Sequence, residues 1–203
     1  MKVIDQSVQI LGAPDYGAML RLVEVAGRTC YKSEHKIARD SAEKFVKRLI
    51  KIGHLSVIEH AQITIRMICD RGISHELVRH RIGSYSQEST RYCNYENEII
   101  FIKPLFREGS VEYFFWESVM MKAEGAYQSL IRFGAKPEEA RDVLTNSLKT
   151  EVVVTYNIRQ WRHFLKQRMA PGCHPKMRKL ARLCLNDLKH SFPVFFEDIE
   201  VKK

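Results

Sequence analysis

RHRIGSYSQESTRY, from Arg79 to Tyr92, decides how the rest of this chain is read. It holds three arginines, a histidine, four serine or threonine hydroxyls, a glutamine, a glutamate and two tyrosines, with Ile82 as its one aliphatic residue. A core-facing segment would need more apolar side chains, whereas forked guanidinium donors beside hydroxyls suit a phosphate and a polar ring. The plainer alternative is a solvated ion-pair face. On a short helix starting near Ile73, Glu76 would lie three residues before Arg79 and four before His80, gathering a carboxylate and two cations on one side.

Working outward, AQITIRMIC alternates as a strand, with Ile63, Ile65, Met67 and Cys69 on one face and Gln62, Thr64, Arg66 and Ile68 on the other. Further upstream, Val3 to Leu11 reads as a first strand, ended by Gly12, Pro14 and Asp15. A helix carrying Met19, Leu20, Leu22, Val23 and Ala26 follows, with Gly27 as its stop. A second helix begins at Asp40 or Ser41, carries Phe45, Val46, Leu49 and Ile50, and stops at Gly53. Downstream, a polar loop from Gly83 leads to a strand at Ile99 to Ile102. A long helix then spans Ser110 to Phe133. PEEARDVL starts another helix at Pro137, EVVVTYNI is a β-branched strand, QWRHFLKQR returns to helix, and a last helix runs from Pro175 to His190. The pattern is mixed α/β (α+β): a single domain, 1–203, with a mostly antiparallel sheet packed by helices, including a long central helix.

Composition narrows the function without choosing it. The chain has 203 residues, 45% of them hydrophobic, enough for a real core. Lys and Arg number 33 against 24 Asp and Glu, a net charge of +9, which favours an anionic partner: nucleic acid, an acidic membrane surface or a small phosphorylated ligand. The five cysteines have neither CxxC pairing nor regular spacing. That disfavours a disulfide framework or zinc site and fits reduced thiols in a cytoplasmic protein. No run reads as a signal peptide or a membrane span. In GHLSVIEHA, the spacing of His54, Glu59 and His60 matches no zinc signature, so no metal is expected.

Arg79, His80 and Arg81, followed after seven residues by Ser89, match the R-H-R-x7-S signature of the flavin-dependent thymidylate synthases, which this chain resembles, and SYSQESTRY extends the match through Arg91 and Tyr92. GHLSVIEH looks like that family's upstream flavin segment, PEEARDVL like its nucleotide-binding helix, and YNIRQWRHFLKQR like its downstream flavin and substrate segment. Together these cover most of the chain from Gly53 to Arg168 in the family order. A departure follows Arg168, where MAPGCHPKMRKLA stands in place of a short Ala-Gln-containing helix start.

The resemblance implies methylation of dUMP, with 5,10-methylenetetrahydrofolate supplying the carbon, NADPH the electrons and FAD the hydride relay. It implies a homotetramer with active sites shared between subunits, no nucleic acid and no membrane partner. By resemblance the flavin positions are Ser56, Arg79, His80, Arg81, Gln87, Asn157, Ile158, Arg159 and His163. The nucleotide positions are Glu76, Arg79, Gln87, Glu88, Ser89, Thr90, Arg91, Arg141 and Arg168. Arg168 is the catalytic candidate, since a fixed guanidinium would stabilise negative charge building around N3 of the uracil ring. Ser89 has no adjacent base in the sequence, so it reads as a donor to the nucleotide rather than a nucleophile.

Two other classes compete. A nucleic-acid module would use the net charge with Tyr85, Tyr92 and Trp161 as stacking platforms. A metal-dependent phosphohydrolase would use His54, Glu59 and His60.

Overall fold

Alternation makes the strand through Gln62–Asp70: Ile63, Ile65, Met67 and Cys69 are all fully buried while Gln62, Thr64, Arg66 and Ile68 are not. The computed structural model describes residues 1–200, and along them the elements are β1 (Lys2–Ile4), β2 (Ser7–Gly12), α1 (Tyr16–Thr29), α2 (Ser41–Lys51), β3 (Gln62–Asp70), α3 (Arg71–Leu77), β4 (Ser84–Gln87), β5 (Ile100–Ile102), α4 (Val111–Arg132), α5 (Pro137–Ala140), β6 (Lys149–Asn157), α6 (Ile158–Arg168), α7 (Pro175–Ser191) and α8 (Pro193–Phe196). One sheet has the order β2-β3-β6-β4; β1 and β5 form a separate parallel pair, with Lys2 opposite Ile100 and Ile4 opposite Ile102. Strands β3 and β6 run antiparallel, since Arg71 N–H donates to Leu148 O while Ile158 N–H donates to Ala61 O. The fold is mixed α/β with an antiparallel sheet packed by helices.

The chain divides into two compact units, each assembled from three separate segments. The first comprises Met1–Ser7, Met67–Arg79 and Ser86–Val152. Its core gathers Ile99, Phe101, Met120, Tyr127, Ala140 and Leu148, with Trp116 packed against them. Buried Glu124 on α4 accepts from Ile99 N–H and pairs with the chain's amino group at 2.9 Å, which ties down the N-terminus. The second unit comprises Val8–Arg66, His80–Tyr85 and the chain from Val153 onward. In it Trp161 and Phe164 of α6 are fully buried, the Trp161 indole donates to Ile63 O, and Arg162 forks onto both carboxylate oxygens of Asp198 at 2.6 and 2.7 Å.

Several expected elements are redrawn. The single strand over Val3 to Leu11 is two strands in different sheets, separated at Asp5 and Gln6. Gly27 does not stop α1 but lies inside it, because a Cβ there would sit 2.8 Å from the Phe45 ring of α2. Gly53 does end its helix: at φ +80° it closes α2 with His54 N–H on Leu49 O and its own N–H on Ile50 O. PEEARDVL makes only the four-residue α5 and a 3-10 turn at Arg141–Val143. The long helix is as expected, with the Ser110 side chain capping α4 through Tyr113 N–H.

Candidate functional site

Around the opening stretch, the expected helix starts earlier and ends sooner. Asp70 caps α3 by accepting from Ile73 N–H at 2.8 Å, and the helix closes at Leu77. Arg79, His80 and Arg81 therefore lie beyond the helix, and the single helical face holding Glu76, Arg79 and His80 does not form. The expected loop contains the four-residue strand β4, whose polar side chains concealed it. Tyr156 lies opposite Gly83, whose missing Cβ makes room for the ring.

Within the second unit, His80 is the hub. It is 5% exposed, edge-on to Phe164 at 5.1 Å between centroids and 6.1 Å from His163. Its Nε2 accepts from Arg168 Nε–H at 2.8 Å, and Gln160 Nε2 lies 3.5 Å from Nδ1. Burial, then the Arg168 guanidinium, then His163 lower its pKa to about 4, so the ring is neutral near pH 7. Neutrality is what allows Nε2 to accept, which assigns the remaining ring proton to Nδ1. Tyr85 donates to His80 O and meets the Tyr156 hydroxyl; burial raises the pKa of both tyrosines. The structure brings His80, His163 and Arg168 together, with Tyr85 and Tyr156 beside His80, two tyrosines that the family resemblance did not assign to the site. No signal in the sequence pointed to them, because the approach of Tyr156 to Gly83 depends on strand pairing.

On the same unit, Asn157 caps α6 through Gln160 N–H at 2.8 Å, fixing the strand-to-helix turn that carries Ile158, Arg159 and His163 on to Arg168. Glu59, Ile82, Asn157, Arg159, Gln160 and His163 line a cleft of about 350 Å³. Ile158 is fully buried and belongs to the core, so its side chain is not available to a ligand. Exposed Arg159 holds Glu59 at 2.5 Å. Among the described residues, His54, Glu59 and His60 are not gathered into a group that could hold a metal ion. Ser56 and Arg81 are exposed. The stacking platform also dissolves: Tyr92 is 75% exposed, but Trp161 is fully buried and Tyr85 is half-buried with its hydroxyl engaged.

Within the first unit lie Glu76, Arg79, Gln87, Glu88, Ser89, Thr90, Arg91 and Arg141. Gln87 donates both amide protons, to Ser74 Oγ at 2.9 Å and Thr150 Oγ1 at 3.1 Å. Its remaining capacity toward a ligand is therefore its carbonyl oxygen. Ser89 opens a turn: its carbonyl accepts from the Tyr92 and Cys93 amides, and its hydroxyl from Arg91 N–H. Thr90 is buried, while Arg91 is exposed and pairs with Glu138 at 2.8 Å, lowering the Glu138 pKa. Arg79 and Arg141 are exposed and Glu76 is half-buried.

After Arg168, the departing segment Met169 to His174 forms a turn with Cys173 N–H on Ala170 O. His174 Nδ1 then accepts from Lys176 N–H at 3.2 Å and caps α7. Among the described residues no helix is long and apolar enough to cross a membrane.

A family model described as thymidylate synthase complementing protein matches residues 15–194. A flavin-dependent thymidylate synthase from Mycobacterium sp. (strain JLS) is 36% identical, the alignment covering 89% of this chain and 80% of that one. Another so named, from Mycobacteroides abscessus, is 32% identical over 98% of this chain and 84% of its own. Among solved structures, a UMP/dUMP methylase, PolB, from Streptomyces cacaoi bound with 5-Br dUMP aligns over 97% of this chain and 96% of its own, with a TM-score of 0.78 at 23% identity, a likeness of fold.

Proposed function

This chain belongs to the thymidylate synthase complementing protein family, and on that premise we propose that it is a methyltransferase converting dUMP to dTMP, with 5,10-methylenetetrahydrofolate as carbon donor, NADPH as reductant and FAD as cofactor. The observation that carries the reading is the Arg168 to His80 hydrogen bond, which joins the end of α6 to the middle of the R-H-R triplet.

The residues at the cleft suit a polyanionic dinucleotide. Arg159, Gln160 and His163 offer donors beside apolar Ile82, and Arg159 pairs with the Glu59 carboxylate at 2.5 Å, which shows its guanidinium within reach of an anionic group at the cleft. Arg159, His163, Asn157, Ser56 and the Arg79 to Arg81 triplet would hold FAD. When bound, it would relay, as hydride, the two electrons from NADPH that bring the transferred carbon from methylene to methyl. Arg91 and Arg141 would bind the dUMP phosphate, with Gln87, Ser89 and Thr90 lining the nucleotide and Arg79 and Glu76 bordering it.

Arg168 would face N3 and its flanking carbonyls. Charge that accumulates there during attack on the folate carbon is stabilised more than the ground state, which lowers the barrier. His80 positions the guanidinium by accepting from Nε while neutral, so it adds orientation without a competing charge.

The reading extends to the assembly: a homotetramer with active sites shared between subunits, working in the cytoplasm. The five cysteines, all without disulfides, support the reducing compartment. The two units are read as one domain, because each is built from three separated segments and neither is a contiguous stretch. The test is dTMP formation by purified protein given dUMP, methylenetetrahydrofolate and NADPH, with and without FAD. Turnover that requires FAD is expected. A flavin-loaded protein that makes no dTMP would refute the proposal.

A further inference from the structure

Glu88 sits in the proposed nucleotide loop, yet its carboxylate is already occupied. Oε1 accepts from Tyr95 Oη–H at 2.8 Å, and Oε2 accepts from Lys149 Nζ at 3.0 Å and from Glu151 N–H at 3.1 Å. Lys149 also reaches Glu151 Oε1 at 2.7 Å, and Glu88 N–H donates to Glu151 O at 2.9 Å. The Lys149 and Glu88 side chains are 14% and 16% exposed, so this is a half-buried network rather than a solvated surface pair. Tyr95 is itself held, with its N–H on the Tyr127 hydroxyl and its ring 6.0 Å from that of Tyr127, a core residue.

The register explains the arrangement. Lys149 and Glu151 lie two residues apart on β6 and share a face, while Thr150 points the other way, to Gln87. Three consecutive residues of β6 thus grip Gln87, the last residue of β4, and Glu88 after it from opposite faces of the strand. The charge balance matters as well. The Lys149 ammonium lies between the carboxylates of Glu88 and Glu151 beside Ser89, Thr90 and Arg91, so removing it would take away a positive charge next to a loop meant for an anion.

We propose that Lys149, Glu151 and Tyr95 are positioning residues that hold Glu88, and through it the segment Ser89 to Arg91, in the conformation that takes a nucleoside monophosphate, and that Glu88 itself serves this network rather than contacting the nucleotide. Lys149 has a second role, cancelling carboxylate charge that would repel the phosphate. The inference rests on the nucleotide site proposed above.

The test is calorimetric binding of dUMP to flavin-loaded protein, with kcat and KM for dUMP measured in parallel. Lys149→Met is expected to weaken dUMP binding by at least about tenfold, a difference of 1.4 kcal/mol, with flavin content unchanged. Lys149→Arg should restore most of the affinity, which a purely volumetric role would not predict. Tyr95→Phe, which deletes one hydroxyl and keeps the ring, should weaken dUMP binding a few-fold through KM rather than kcat, and covers the case in which Lys149→Met does not fold. Parent protein that binds dUMP, with folded Lys149→Met or Tyr95→Phe binding it equally well, would overturn this inference alone. Lys149→Arg no better than folded Lys149→Met would overturn the charge role. A flavin-loaded parent that does not bind dUMP would overturn the function proposed above and this inference with it.

Discussion

Arg168 Nε lies 2.8 Å from His80 Nε2, so the arginine read as the catalytic candidate is oriented by the central histidine of the R-H-R triplet. A lysine at 168 would keep the charge but lose the planar fork that can donate from Nε to His80 while presenting its other nitrogens elsewhere. Arg168→Lys is therefore expected to lower kcat by about a hundredfold or more, the scale for losing one preorganised donor to developing charge, with flavin binding retained. Steady-state kinetics on flavin-loaded protein checks this; near-normal kcat would remove Arg168 from the chemistry.

The depressed pKa of His80 has a defined sign. The folded state holds the ring neutral down to about pH 4, whereas an unfolded chain protonates near the ordinary histidine value of 6.5. The stabilisation is fully present above about pH 6.5 and is lost as pH falls from there through the folded value. Denaturant titrations at pH 7 and 4.5 should show the parent losing about 2–3 kcal/mol more than His80→Asn over that interval. Equal losses would show that His80 is not held neutral by its surroundings.

Cys173 is half-buried in the turn after α6, and PGCHP superficially resembles the Pro-Cys-His nucleophile segment of the unrelated classical thymidylate synthases. Its neighbour His174 is occupied as the cap of α7. Cys173→Ala should keep most of its methylation activity. Loss of turnover in a folded, flavin-loaded variant, with a covalent nucleotide adduct trapped on the parent, would favour thiolate catalysis instead.

The proposed sharing of active sites between subunits makes a prediction about mixtures. If Arg168 and the nucleotide loop that completes its site come from different subunits, co-assembling Arg168→Ala with Ser89→Ala should recover part of the activity that each lacks alone. Verified mixed oligomers with no recovery would contradict that division.

Part of the architecture was legible because periodicity can report burial directly: the alternation through Ile63 to Cys69 is a pattern with one physical cause, whereas α4 forms where its repeat indicates although Phe114, Phe115, Val119 and Met121 on it are exposed. What was misread is equally specific. Gly27 looked like a stop because glycine ends helices, but here it makes room for Phe45, and only the tertiary partner distinguishes the two. β4 escaped because an edge strand of Ser, Tyr, Ser and Gln has no apolar face to announce it. The candidate site divides the same way. The motif named Arg79, His80, Arg168 and the residues Gln87 to Arg91, but it could not show that Ile158 belongs to the core or that Glu88 is fully engaged. Both facts depend on which residues lie opposite, through strand register and helix packing, which a single sequence does not record.

The most direct test of the central claim is the oxidation state of the folate product. Taking a methylene carbon to a methyl group requires two electrons, and their source decides what leaves the enzyme: tetrahydrofolate if NADPH supplies them by way of the flavin, dihydrofolate if the folate supplies them itself. Chromatography of the folates from a reaction with dUMP, methylenetetrahydrofolate, NADPH and flavin-loaded protein should give one tetrahydrofolate per dTMP formed. One dihydrofolate per dTMP would contradict the account.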